Sequence, residues 1–231
     1  MEEVKKGTFF SVGVGPGDPE LITLKGVRIL KTCPVIAAPR TKNGDMLAFE
    51  IAKQVIDCTH KIILPIDISM ERGGSRRQQD YEQGVATIAQ HLSAGQDVAM
   101  MNLGDVSIYA TSGYMMEMLA ERGFETVMVP GVPSFCAVAA KLNCSLTTQN
   151  APLHIFPAGS TPLEEALDAA GTKVLMKSGR QLPKVIEQLE RKGLLERAAL
   201  VQNCGLPGER VCHDLRADVE AGYFSTIIIK E

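Results

Sequence analysis

The sequence predicts an α/β protein of two α/β lobes, 1–145 and 146–231. Three observations predict it. Through the first lobe, short apolar runs of β type alternate with segments of helical spacing, the pattern of a parallel sheet covered by helices. A loop around "CSLTTQNAPLH" then interrupts the chain, and a second alternation follows. At 231 residues, with 45% hydrophobic and 22% charged side chains, the chain has the length and composition of one large or two small globular domains.

The elements follow in order. "TFFSVGVG" is the first strand. Asp18 stands where its carboxylate can cap a helix, and Pro19 fits the first helical position, which needs no N–H. Leu21, Leu24, Val27 and Leu30 recur at helical spacing and predict a stripe facing the core. "CPVIAAP" is a second strand, "MLAFEIAKQVID" surrounds a helix, and "KIILPI" is a third strand. "DISMERGGSRRQQDYEQG" is polar and aperiodic at its start, with a helix after it through "VATIAQHLSAG". "DVAMMNLGD" is a fourth strand, "SGYMMEMLAERG" a helix closed by Gly123, and "ETVMVPG" a fifth strand. Met115, Met116 and Met118 read as helix packing, and "SFCAVAAKLN" as the helix that ends the lobe. The second lobe offers strands at "HIFPA", "KVLMKS", "AALVQN" and "STIIIKE", with helices at "PLEEALDAA" and "LPKVIEQLERKGLLER".

Charge and composition exclude several functions. The net charge is −3, with no block rich in lysine or arginine, so nucleic acid is not the expected partner. No apolar run approaches the ~18 residues of a membrane span. "MEEVKKGTFF" is acidic and runs straight into a strand, unlike a signal peptide, so a cytoplasmic protein is expected. The six cysteines (33, 58, 136, 144, 204 and 212) form no CxxC pair and read as free thiols buried as small hydrophobes. Cys58 with His60 and Cys212 with His213 are isolated pairs, too little for a zinc framework, and no metal site is expected. His60, His91, His154 and His213 are scattered, and no catalytic triad or base can be named.

The stretch "FFSVGVGPGDPELITLKGVRIL" breaks a strand into a glycine loop. Phosphate is the first ligand to test. No lysine followed by serine or threonine completes a Walker loop, and Asp18 stands where the third glycine of GxGxxG belongs. Asp18 and Glu20 would repel an anion from the helix start, and Pro16 removes a donor. Two more strand-to-helix loops share this character, "NLGDVSIYATS" at 102–112 and "VPGVPSF" at 129–135. In a parallel sheet all three emerge on one edge. They offer backbone groups, small side chains and one carboxylate, Asp105, and no lysine or arginine. Such a site suits a ligand with neutral hydrogen-bonding parts and a positive centre. A tight turn explains any one loop alone; three together point to a binding site.

"GVGPGDPELITLKGVRIL", "LGDVSIYAT" and "VPGVPSF" together resemble the tetrapyrrole methylase family, the S-adenosylmethionine-dependent enzymes of corrin and sirohaem synthesis. The resemblance runs from residue 9 to the end of the chain. "GYFSTIIIKE" and "KVLMKSG" look most like the branch that methylates precorrin-2, or its cobalt form cobalt-factor II, at the C-20 meso carbon. The resemblance implies a homodimer, with the cofactor S-adenosylmethionine folded into a cleft between the two lobes. It places cofactor contacts at Pro16, at Leu103, Gly104, Asp105 and Ile108, at Pro133 and Ser134, and at Met176 or Lys177 with Cys204. Relatives often carry Gly-Asp-Pro where this chain has Gly104-Asp105-Val106, and threonine or serine where it has Pro133.

The implied substrate is rich in carboxylates. Arg40 and Lys42 follow the second strand, and Arg72, Arg76 and Arg77 follow the third, all on the edge of the glycine loops. Arginine grips a carboxylate with two parallel N–H bonds. The alternative for these residues is a solvated loop with its own acids, Glu71 and Asp80. Alternatives for the whole chain are a methylase of the same fold acting on uroporphyrinogen, another corrin intermediate, protein or RNA, and a non-catalytic tetrapyrrole or nucleotide carrier. Whether the substrate holds cobalt leaves no trace in the sequence, because the ring itself holds the metal.

Overall fold

The structure, a computed structural model, describes residues 5–68, 75–148, 150–157, 162–216 and 222–231, without the side chains of Ser75, Arg76 and Arg180. The chain divides into two units, Met1–Pro133 and Ser134–Glu231.

In the first unit, β1 (Thr8–Gly13) lies between β4 (Val98–Asn102) and β5 (Glu125–Val129), parallel to both. β2 (Val35–Arg40) and β3 (Ile62–Asp67) complete an all-parallel sheet in the order β3-β2-β4-β1-β5. Parallel neighbours need crossovers, which helices α1 (Leu24–Thr32), α2 (Leu47–Ala52), α3 (Ser75–Ser93) and α4 (Ser112–Glu121) provide. "VAMMN" is buried throughout because β4 lies inside that sheet. Phe9, Met100, Ile88, Leu92, Met115 and Leu119 form its core with Met116, and Met118 packs against them, as the helix-packing reading expects.

Two expectations for this unit need correction. Asp18 caps only a short 3₁₀ turn, Pro19–Leu21, accepting the Glu20 N–H at 2.9 Å. Helix α1 starts afresh after Thr23, whose hydroxyl accepts the Gly26 N–H at 3.1 Å. This second cap resets the helical phase: Gly26 and Leu30 are buried, Leu24 is 90% exposed, and the predicted stripe does not hold. Helix α3 already includes "SRRQQDYEQG", starting well before the predicted "VATIAQHLSAG". Its early turns are polar because much of their surface faces water, although Tyr81 is buried.

The second unit holds a mixed sheet in the order β6-β7-β10-β8-β9. Its strands are β6 (Leu153–Pro157), β7 (Thr172–Met176), β8 (Ala198–Gln202), β9 (Arg210–Cys212) and β10 (Ser225–Ile229). β6 and β7 are parallel, and every other pair is antiparallel. Helix α5 (Ser134–Lys141) packs on β10, so it opens the second unit instead of closing the first. Helices α6 (Leu163–Asp168) and α7 (Leu182–Arg191) cover the sheet, α7 through Leu182, Val185 and Leu189. β9 was absent from the predicted elements, because three residues carry too little pattern to register.

All six cysteines are free. Only Cys33 and Cys204 are buried; Cys58, Cys144 and Cys212 are half-buried and Cys136 is exposed, which corrects the expectation of six buried thiols. Burial pushes the Cys33 thiol up to about 12. Among the described residues no helix is long and apolar enough to cross a membrane.

Candidate functional site

The carboxyl ends of β1, β4 and β5 lie side by side, with Gly13 opposite Asn102 and Val12 opposite Val129. The three glycine loops leave from these ends and meet. A Cβ on Gly13 would lie 2.7 Å from both the Gly104 oxygen and the Gly131 nitrogen. A Cβ on Gly131 would lie 2.4 Å from the Gly104 oxygen and 2.8 Å from the Gly13 carbonyl carbon. These obstacles are backbone, which cannot step aside, so only glycine permits the approach. The Gly15 N–H donates to the Gly104 oxygen at 3.2 Å, and the Gly104 N–H returns a bond to the Gly15 oxygen at 2.7 Å. Both residues have positive φ, 72° and 76°, which glycine adopts without strain.

Asp105 joins the second loop to the third. One carboxylate oxygen accepts the N–H and the hydroxyl of Ser107, and the other accepts the Gly131 N–H at 2.8 Å. Burial pushes this carboxyl up, but the Ser107 donors and the N–H groups of Gly131 and Val106 outweigh it and hold the carboxyl below its ordinary range. Asp105 thus uses both of its oxygens to shape the loops. Pro16 and Gly104 are buried around this meeting point, while Leu103, Ile108 and Pro133 keep part of their surface open.

A buried polar cluster fixes both ends of the second loop, and sequence reasoning missed it. Ser11, Asn102 and Ser112 are each nearly inaccessible. The Ser11 hydroxyl donates to the Ser112 hydroxyl at 2.7 Å, and the Asn102 amide donates to Ser11 at 3.2 Å and to the Met100 carbonyl at 3.1 Å. Asn102 precedes the loop and Ser112 follows it, so Ser11 pins both. The available signal was a serine inside "FFSVG" and an asparagine ending "VAMMN", polar groups in otherwise apolar strands.

In the second unit, β7 and β8 flank β10 and run opposite to it, with Met176 beside Thr226 and Gln202 beside Ser225. This geometry brings Met176, Lys177 and Cys204 to one end of the sheet. The Ser178 N–H donates to the Ser225 carbonyl at 3.2 Å and the Asn203 N–H to the Phe224 carbonyl at 2.9 Å. Lys177 and Asn203 occupy the left-handed region at φ 58° and 51°, a costly conformation for a side chain-bearing residue. Met176 and Cys204 are buried, and Lys177 is exposed with its Nζ 6.0 Å from the Tyr223 ring centroid. The Ser178 hydroxyl is buried without a hydrogen-bond partner among the described residues. Ser134 opens α5.

Of the predicted carboxylate-binding cations, Arg40 is already engaged. Its Nε and Nη2 donate to the two oxygens of Asp67 at 2.7 and 2.8 Å, the bidentate grip foreseen for a substrate. That bond holds the Asp67 carboxyl below its ordinary range. Lys42 is exposed, and Arg77 is half-buried in the first turn of α3. Arg72 lies outside the described residues, as does the side chain of Arg76. His91 bonds the Gln96 side chain at 2.7 Å, and His154 stacks on Phe156.

A parallel sheet with converging glycine loops, followed by a mixed-sheet unit, defines a two-sheet α/β protein of a kind already seen in methyltransferases. The crystal structure of uroporphyrin-III C-methyltransferase from Thermus thermophilus complexed with S-adenosyl homocysteine superposes with a TM-score of 0.71 at 22% identity, covering 97% of this chain and 98% of that one. Residues 8–220 match the family described as Tetrapyrrole (Corrin/Porphyrin) Methylases, and the chain belongs to that family. Cobalt-precorrin-2 C(20)-methyltransferase of Salmonella typhimurium is 28% identical over 97% of each chain. A probable cobalt-precorrin-2 C(20)-methyltransferase of Methanocaldococcus jannaschii is 31% identical, covering 96% of this chain and 95% of its own.

Proposed function

We propose that this protein transfers a methyl group from S-adenosylmethionine to the C-20 meso carbon of cobalt-factor II or precorrin-2, in cobalamin biosynthesis. The observation that carries the reading is the backbone meeting of Gly13, Gly104 and Gly131 at one rim, in loops without a lysine or arginine. With Asp18 and Glu20 beside the first loop and no cation in any of the three, the rim suits a sulfonium cofactor and disfavours the phosphates of a nucleotide. Pro16, Leu103, Gly104, Ile108, Pro133 and Ser134 would hold the cofactor, Asp105 would act through the loop shape it imposes, and Met176, Lys177 and Cys204 would add contacts from the second unit.

When bound, S-adenosylmethionine supplies a methyl group already activated by a positively charged sulfur. The chain's own task is then alignment and exclusion of water. Fixing donor and acceptor in reacting geometry contributes roughly 7–11 kcal/mol. The pinned loop from Leu103 to Thr111 suits that task, because both of its ends are tied through Ser11. Lys42 and Arg77, with Arg72 and Arg76, would take the substrate's carboxylates, and Arg40 would serve Asp67 instead. The same reading makes the protein a homodimer, which sedimentation of the purified chain checks, and places it in the cytoplasm, which cell fractionation checks.

Incubation with methyl-labelled S-adenosylmethionine and, separately, cobalt-factor II, precorrin-2 and uroporphyrinogen III tests the reaction. Label at C-20 is the expected result. Label on another carbon, or on uroporphyrinogen, would assign a sister methylase activity, and binding without transfer would assign a carrier.

A further inference from the structure

Three tyrosines at the carboxyl edge of the first sheet are unused by the reading above. Tyr114 lies in the first turn of α4, immediately after the loop that contains Gly104 and Asp105. Its ring stacks on that of Tyr81 from α3, with centroids 5.5 Å apart and planes inclined by 13°. Tyr81 is 7% exposed and Tyr114 is 61% exposed, so the pair turns its open aromatic surface outward on Tyr114. Tyr109, within the same loop, is 52% exposed and sits at φ 50°, a conformation unusual for an aromatic residue.

The stack is built in, not incidental. Gly84 lets α3 close on its neighbours: a Cβ there would lie 2.8 Å from the Met115 methyl and 3.0 Å from Ile66. Met115 is the residue after Tyr114, and Gly84 is one turn after Tyr81, so the close approach sets the two rings against each other. The Tyr81 hydroxyl bonds Thr111, the last residue of the loop. Arg77, one turn before Tyr81 on α3, is close enough for its charge to act on that hydroxyl. An open aromatic face, a cation beside it and the glycine loops next to it on one rim match a flat conjugated ring bearing carboxylates.

We propose that Tyr114, backed by Tyr81, is the surface on which the flat face of the tetrapyrrole substrate lies, with Arg77 taking one of its carboxylates. Stacking on an aromatic ring needs no particular ring substituent, so this contact supplies affinity and tilt while the cation supplies direction. The inference rests on the proposed methyl transfer, and it adds a substrate subsite to it.

The test is equilibrium binding of cobalt-factor II, followed by its absorbance, to the full chain in the presence of S-adenosyl homocysteine. Tyr114→Ala should weaken cobalt-factor II binding about tenfold, with S-adenosyl homocysteine affinity and sedimentation coefficient unchanged. Tyr114→Phe should bind within about twofold of the parent. Tyr114→Leu keeps apolar cover over Tyr81, so it folds if the alanine variant does not, and should still lose several-fold. Parent-like binding by the alanine or leucine variant overturns the subsite while leaving methyl transfer standing. Lost affinity that coincides with dissociation of an oligomer also overturns it, and assigns this face to a second copy of the chain. A parent protein that binds no tetrapyrrole overturns both readings at once.

Discussion

Each sheet gathers its candidate residues on a rim of its own, and the two do so by opposite routes. In the first unit all strands run the same way, so every loop after a strand emerges on the same side, and the loops after β1, β4 and β5 meet there. In the second unit the rim combines the ends of β7 and β8 with the beginning of β10, because β10 runs against both. The first rim is locked by backbone touching backbone. The second is held by two residues in left-handed conformation, Lys177 and Asn203, beside a hydroxyl with no partner among the described residues. Contacts between backbones tolerate no side chain, whereas a strained side-chain position tolerates exchange. The first rim should therefore be brittle and the second forgiving.

Gly131→Ala is the hardest blow to that contrast. The new methyl group would meet the Gly104 oxygen and the Gly13 carbonyl carbon, neither of which can rotate away. A stability loss of about 3 kcal/mol by denaturant titration is expected, together with loss of S-adenosyl homocysteine binding by calorimetry. Near-normal stability and binding would show that the loops yield, and the contrast would fail.

Asp105→Asn comes next, at about 2 kcal/mol, because the amide turns a donor toward groups that already donate. The effect depends on pH with a defined sign. Folding lowers the Asp105 carboxyl below its ordinary 3.8, so the native chain gives up this proton more readily than the unfolded one. The parent's advantage is complete above that value and fades as pH falls through the lowered native pKa. Unfolding curves of parent and variant should therefore converge in acid, and a gap that persists at low pH would assign the loss to shape alone.

Ser178→Ala probes the forgiving rim. Removing a buried hydroxyl that bonds nothing among the described residues should stabilise the protein by about 1 kcal/mol, read from the denaturation midpoint. A loss instead would mean that this hydroxyl has a partner in solution. Arg40→Ala should matter least. Its exposed pair with Asp67 contributes little to stability in water. Cobalt-factor II affinity should not change; a several-fold loss would show that substrate displaces Asp67 from the guanidinium.

Much of the first rim was legible in the sequence, because glycine after an apolar run marks a place where the backbone must turn tightly. Every strand except β9 was legible, most plainly where the run is buried throughout, as in β4, β7 and β10. What escaped was whatever depends on pairing between distant segments. Arg40 faces Asp67 only because β2 and β3 align in that register, and nothing in either segment alone states it. Asp105 carries no mark in the sequence to say that Gly131 will claim its second oxygen. The stripe through Leu24 failed because two capping residues, Asp18 and Thr23, compete within six positions, and only the later one starts the α-helix. Helix α5 was assigned to the wrong unit because its own composition cannot tell which sheet it covers. Arg40 and Arg77 do follow strands, as read, but both are half-buried, and the pairing of Arg40 with Asp67 left no sign in either segment.

The reciprocal pair between Gly15 and Gly104 has a dynamic consequence. Each glycine both gives and takes a bond with the other, so neither amide becomes available to solvent unless the two loops part together. Their deuterium uptake should therefore be synchronous, with one rate for both positions. A shared rate would show that the first and second loops open as a single unit.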